Sequence, residues 1–284
     1  MSRIVYLNGE YVEEAMAKVS IFDRALLFSD GLYEVTSVID GKLIDFDNHM
    51  KRLDRSMSEL KYPRMLNHEE IKTFHRELVK KNNLREGTVY LQVSRGVAER
   101  SFDFPNSNND FTVTAFTQEK DLINNKSALQ GISIMTIEDN RWGRCDIKTV
   151  QLLYPSFAKF SAAQEGFDDA WMVRNGHVTE GTSNNAWIIR NGTVITRQAD
   201  NLILKGITRE AVAECAKELN YKIDFKNFTI SEAQSASEAF ITSATTFVTP
   251  VVKINNTKIS DGSPGKFTKL LREKYIEKAM KIAI

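Results

Sequence analysis

The run Arg144-Cys145-Asp146-Ile147-Lys148-Thr149 places a lysine directly after an apolar residue, with Val150, Leu152 and Leu153 close behind. A lysine held in a dry pocket is pulled toward its neutral amine, which can attack a carbonyl carbon and form a Schiff base. Taken alone, the run reads first as an ordinary surface lysine at the end of a strand. A second run, Val178-Thr179-Glu180-Gly181-Thr182-Ser183-Asn184-Asn185, sets one carboxylate among small polar residues. Glu180 could keep a proton on the nitrogen of a pyridine ring and so make that ring an electron sink. A plain turn between two strands has the same composition.

Two further runs suit an anion. Leu204-Lys205-Gly206-Ile207-Thr208-Arg209 passes through a glycine into a helix that begins near Thr208. The bare N–H groups and the dipole of a helix start favour phosphate, although a threonine N-cap without a ligand explains the run as well. In Thr242-Ser243-Ala244-Thr245-Thr246, hydroxyls and amides could take further phosphate oxygens, or could merely end a strand. His49 and Arg52 are three residues apart and share a helix face, from which the arginine fork could grip a phosphate dianion. Arg95 and Arg100 lie in a long polar loop, 95–110, which could capture a substrate carboxylate or could simply be solvated.

These groups need elements to hold them. Ile4–Leu7 and Tyr11-Val12 flank Asn8-Gly9 and read as a hairpin. Leu32–Ile39 reads as a strand that turns at Asp40-Gly41. Asp47 suits a helix N-cap ahead of Met50, Leu53, Met57 and Leu60, and Asn67 suits a second one ahead of Ile71, Phe74, Leu78 and Val79. Strands are expected near 88–94 and 111–116. Residues 118–127 are polar and aperiodic and suit a boundary. Beyond it, 169–173, 185–190 and 193–196 read as an antiparallel meander punctuated by Asn175-Gly176 and Asn191-Gly192. Helices are expected at 155–165, 208–220 and 264–281. Strands and helices mix without steady βαβ alternation, which favours α+β over a doubly wound parallel sheet.

The composition narrows the function classes. The chain has 284 residues, 42% hydrophobic and 26% charged, enough for one large or two modest domains. A net charge of +1 offers no electrostatic footprint for nucleic acid. The two cysteines form no CxxC, so neither a disulfide framework nor a zinc site is expected, and a cytoplasmic setting fits. No apolar run is long enough to span a membrane, and the N-terminal residues lack a signal-peptide pattern.

In their order along one chain, Phe28-Ser29-Asp30-Gly31-Leu32-Tyr33-Glu34-Val35, His49-Met50-Lys51-Arg52-Leu53 and the Lys148, Glu180 and Gly206 runs resemble the fold-type IV pyridoxal-phosphate enzymes. These are the class IV aminotransferases, and the likeness is greatest to their D-amino-acid branch. The resemblance implies a two-domain α+β architecture. A small N-terminal α/β domain would take 1–118, a linker 119–126, and a larger C-terminal domain with a β-barrel-like core 127–284. It implies pyridoxal 5'-phosphate on Lys148, with Glu180 at the ring nitrogen and Leu204 against a ring face. Arg52, Gly206, Ile207, Thr208, Ser243, Ala244 and Thr245 would hold the phosphate. Tyr33 would line the substrate site, and Arg100 would bind the substrate carboxylate in the partner subunit of a homodimer. The reaction implied is ping-pong transamination between a D-amino acid and a 2-oxo acid. Branched-chain L-amino-acid aminotransferases, R-selective amine transaminases and aminodeoxychorismate lyases share the fold and are the near alternatives; a non-catalytic cofactor-binding module is the distant one. Two positions depart from the D-alanine pattern: Phe102 stands where a histidine accompanies the carboxylate-binding arginine, and Ala244 where the phosphate loop offers a threonine.

Overall fold

The computed structural model describes residues 2–105 and 108–284. They divide into two units: 1–121 with 147–151 and 282–284, and 122–146 with 152–281. The segment that carries Lys148 therefore belongs to the first unit, although second-unit chain flanks it on both sides.

In the first unit, β1 (Ile4–Leu7) and β2 (Glu10–Glu13) form a hairpin with Tyr6 opposite Tyr11. Asn8 and Gly9 both adopt positive φ, 48° and 99°, the backbone a two-residue turn requires. Helix α1 (Arg24–Phe28) leads into β3 (Gly31–Ile39), which turns at Asp40-Gly41 into β4 (Lys42–Leu43). Helices α2 (Phe46–Glu59) and α3 (His68–Lys81) precede β5 (Glu86–Ser94) and β6 (Thr112–Glu119). The strands form a six-stranded sheet in the order β2-β1-β6-β5-β3-β4, and every pairing is antiparallel. Met50, Leu53 and Met57 of α2 and Ile71, Phe74 and Leu78 of α3 share one core with Val89, Leu91 and Val93 of β5. The Asn67 side chain accepts from the amides of Glu69 and Glu70, as its position suggested. Asp47 does not cap α2. Asp45, at φ 54°, is the N-cap residue, and its carbonyl accepts from the amides of Asn48 and His49, so Asp47 falls in the first turn. A carboxylate there still complements the helix dipole.

Residues 147–151 run along the start of β3. Thr149 bridges Leu32, the Tyr33 amide donates to Lys148 O at 3.1 Å, and the Val150 amide donates to Gly31 O at 3.0 Å. Gly31 permits this approach: a Cβ there would lie 3.0 Å from Ala25 Cβ and 3.3 Å from a Val150 methyl. Leu43 and Ile284 exchange backbone hydrogen bonds at the other end of the sheet.

The second unit opens with α4 (Lys126–Gln130), β7 (Ile132–Glu138), α5 (Leu153–Gln164), β8 (Asp169–Arg174) and β9 (His177–Gly181). It continues with β10 (Asn185–Arg190), β11 (Thr193–Thr196), α6 (Ile207–Glu218), β12 (Lys222–Phe225), α7 (Ile230–Gln234), β13 (Glu238–Ser243), β14 (Phe247–Ile254), β15 (Thr257–Lys258) and α8 (Lys266–Lys281). The sheet order is β12-β11-β10-β13-β14-β7-β8-β9, with β15 on β14. It is not the expected meander. The β7–β8 and β11–β12 pairs are parallel because α5 and α6 return the chain in the same direction, and the long-range β7–β14 pair is parallel as well. The sheet curls into a half-barrel: the Val178 amide on edge strand β9 donates to Phe228 O, and His177 bridges Thr229, just past the opposite edge β12. The mixed sheets and helices are α+β, as expected. Among the described residues no helix is long and apolar enough to cross a membrane.

One core group makes the fold sensitive to pH. His75 on α3 is fully buried between Phe46 and Phe74, with Nδ1 on Ile71 O and no partner for Nε2. Burial pushes it down to about 4 from its ordinary value near 6.5. The fold thus favours the neutral ring; the benefit is complete above pH 6.5 and is lost as the pH falls toward 4, a loss on the order of 2–3 kcal/mol. Urea unfolding at pH 7 and pH 4.5 should show a steeper loss of stability in the wild type than in His75→Leu. Equal losses would rule His75 out as the source.

Candidate active site

Strand alternation divides β3 between two tasks. Tyr33 faces one side, where its ring stacks with Tyr90 at 5.6 Å and the Lys148 Nζ lies 3.9 Å from its centre. Lys148 is half-buried, and its backbone is fixed by the pairing of 147–151 with β3. Glu34 faces the other side and is fully buried against α2. Arg52 donates to it through Nε at 2.8 Å and Nη2 at 2.7 Å, and His49 Nδ1 lies 2.7 Å away. Burial pushes the Glu34 carboxyl up, but Arg52 and His49 outweigh it and hold it well below the ordinary carboxylate range. The arginine fork is thereby locked in one orientation.

The second unit gathers its polar groups around Glu180 at the end of β9. One carboxylate oxygen takes Arg141 Nη1 at 2.5 Å, the other takes Asn185 Nδ2 at 2.9 Å, and the Leu204 amide donates to both. Every partner is a donor, which is the pattern of an ionised group. Burial pushes the Glu180 carboxyl up, and Arg141 opposes that push. Arg141 is braced in turn by Asp139, through Nε at 2.9 Å and Nη2 at 2.8 Å. Burial raises the Asp139 carboxyl, yet Arg141 and Thr179 bring it down to about 2. Asn185 also donates to Leu204 O at 2.9 Å, and its Oδ1 occupies the place a Cβ on Gly206 would take. Gly206, rather than Thr208, is the N-cap residue of α6, so no side chain caps its first turn. Opposite Asn185 stands Thr242, and the adjacent Ser243 hydroxyl lies 3.2 Å from Thr245 Oγ1 and 2.8 Å from Thr246 Oγ1. The cluster therefore offers a buried carboxylate beside a helix start and a group of hydroxyls. Cys145 adds no nucleophile, since burial pushes its thiol up to about 11.

The singled-out residues thus fall in both units. Lys148, Tyr33, Arg52 and Arg100 belong to the first. There they make separate contacts: Lys148 on Tyr33, Arg52 on Glu34, and Arg100 against the rings of Phe28 and Phe102. Glu180, Leu204, Gly206, Ile207, Thr208, Ser243, Ala244 and Thr245 belong to the second, where Asn185 joins Glu180 to Leu204 and Gly206. Glu34, Asp139, Arg141 and Asn185 received no role from the sequence. Only Glu34 carried a signal: alternation puts it in line with inward-facing Leu32 and Val38, where a carboxylate needs a cation.

A model described as amino-transferase class IV matches residues 31–254, and the chain belongs to the class IV aminotransferases. It is similar to the D-alanine aminotransferase of Staphylococcus haemolyticus, 37% identical over 96% of this chain and 98% of that protein. The D-alanine aminotransferase of Bacillus licheniformis is also 37% identical, over 93% of each. Among solved structures, the branched-chain aminotransferase of the thermophilic archaeon Thermoproteus uzoniensis with norvaline has a TM-score of 0.88, 24% identity, and coverage of 99% of this chain and 96% of that one.

Arg141 serves two buried carboxylates, so its removal takes the ion pair from Glu180 and leaves Asp139 only Arg174, 3.2 Å away. Arg141→Met should lower stability by about 3–5 kcal/mol, measurable by chemical denaturation. A loss within about 0.5 kcal/mol, as at an ordinary surface position, would contradict the assignment.

Proposed function

We propose that this protein transfers amino groups between a D-amino acid such as D-alanine and a 2-oxo acid such as 2-oxoglutarate, with pyridoxal 5'-phosphate as its cofactor. The observation that carries the reading is the buried Glu180, accepting only from donors and set beside the uncapped start of α6. That donor set fits a phosphorylated ring with a basic nitrogen. Glu180 would pair with the ring nitrogen and Leu204 would lie on a ring face. Arg52, Ser243, Thr245 and the backbone at Gly206, Ile207, Thr208 and Ala244 would hold the phosphate. Lys148 would bind the cofactor covalently. When bound, the cofactor supplies an electron sink for the electrons left as the substrate α-proton departs. The Lys148 amine would take the substrate α-proton and later return it. Tyr33 would line the substrate site. Arg100 would hold the substrate carboxylate and so fix which face of the α-carbon meets Lys148.

The 37% identity to two D-alanine aminotransferases over nearly the full chain supports the D-amino-acid choice. The likeness to the branched-chain enzyme, at 24% identity, speaks for the fold alone. We place the protein in the cytoplasm as a homodimer, with Arg100 serving the partner's site.

Parallel assays with D-alanine, L-leucine and an R-amine, each with 2-oxoglutarate, should give turnover with D-alanine. Turnover with L-leucine alone would reverse the choice of substrate. Lys148→Ala should lose the visible absorbance of the bound cofactor and about 10²–10⁴-fold of the rate. Full activity in that variant would end the mechanism.

A further inference from the structure

Arg24 and Arg95 are each 3% exposed and share the carboxylate of Asp30, yet transamination gives none of the three a task. Arg24 Nε donates to Asp30 Oδ2 at 2.7 Å, and Arg95 Nε donates to the same oxygen at 2.9 Å. Both arginines also donate to backbone carbonyls. Arg95 donates to Leu60 O at 2.6 Å and Lys61 O at 3.1 Å, just past the end of α2. Arg24 Nη1 donates to Ser101 O at 2.9 Å and Asp103 O at 3.3 Å. The side chains of 100–104 are exposed, but this backbone is tied to a buried ion cluster. Aromatic contacts reinforce the tie: the Arg95 guanidinium lies 3.9 Å from the centre of the Phe104 ring. Phe28 carries Arg24 at 4.6 Å and Arg100 at 5.5 Å. A loop that merely joins two strands has no need of two desolvated arginines, each of which costs several kcal/mol to bury unless paired.

We propose that Arg24, held by Asp30, is a positioning residue for substrate binding: it fixes segment 100–104 so that Arg100 meets the substrate carboxylate in a preset orientation. The inference rests on Arg100 as the carboxylate-binding residue. Both the amino acid and the 2-oxo acid carry that carboxylate, so loosening the segment weakens the binding of both without altering the proton transfer at Lys148.

The test compares holoenzyme Arg24→Gln, Phe104→Leu, Arg100→Ala and the double variant Arg24→Gln/Arg100→Ala. KM and kcat are measured with D-alanine and 2-oxoglutarate, together with amide hydrogen exchange over 100–104. Arg24→Gln should raise both KM values about tenfold, leave kcat within about twofold, and speed exchange in the segment. The double variant should match Arg100→Ala, because Arg24 acts only through Arg100. Phe104 is 57% exposed, so Phe104→Leu keeps the fold and should give the same changes at smaller size. Unchanged exchange in both Arg24→Gln and Phe104→Leu overturns the proposal. So does faster exchange with unchanged KM, if Arg100→Ala raises KM; the role of Arg100 then stands. Unchanged KM in Arg100→Ala removes the role of Arg100 and the positioning role with it.

Discussion

A carboxylate withdrawn from water must be met by donors or it takes up a proton, and this requirement organises both units. Glu34 draws Arg52 and His49 of α2 onto β3. Asp30 draws Arg24 and Arg95 together and, through them, the carbonyls at 60–61 and 101–103. Glu180 gathers Arg141, Asn185 and the Leu204 amide from three parts of the second unit. In each case a single anionic group fixes the orientation of groups far apart in sequence. Orientation is what such clusters supply best, since a buried ion pair adds little net stability over an apolar packing of the same shape.

The clusters differ in what they present. Around Glu180 the donors are the Leu204 backbone just ahead of α6, the short Asn185 side chain on β10 and an Arg141 side chain braced by Asp139, so the arrangement has little freedom. The segment 100–104 is an exposed loop whose order is borrowed from buried arginines. A cluster of fixed donors and a tethered loop are the two kinds of part that the proposed transamination asks for, one for the cofactor and one for the substrate. Phe102, 85% exposed and edge-on to Phe28 at 5.6 Å, places aromatic surface where the D-alanine pattern has a histidine.

Local signals carried much of this to the sequence. Asn8-Gly9 and Asp40-Gly41 turn where their positive φ values require, and Asn67 caps α3. The period of Met50, Leu53 and Met57 places α2, although its start shifted because Asp45, with no helical signature, closes the first turn. Parallel pairing was not legible, since a strand's own residues do not say which direction its neighbour runs. Glu180, Lys148 and the Gly206 run stood out by type and order. Arg141 did not: an arginine in a polar loop, beside its neighbour Asp139, becomes a buried brace only when Glu180 arrives from β9. The return of 147–151 to the first unit has no linear signal either, because it depends on pairing with β3.

That return constrains how the protein can be made. The first unit's sheet could pair its own strands once residue 119 has been synthesised, yet the strip beside β3 arrives with residues 147–151, and the partner of Leu43 is residue 284. Vectorial synthesis therefore leaves an early sheet with the start of β3 and the Leu43 edge uncovered while most of the second unit is still being translated. Closing contacts so distant along the chain is slow, and exposed strand edges invite mispairing in the interval. Lys148, proposed above to bind the cofactor, lies on that strip, so the early sheet forms without it and gains it only when 147–151 pair with β3.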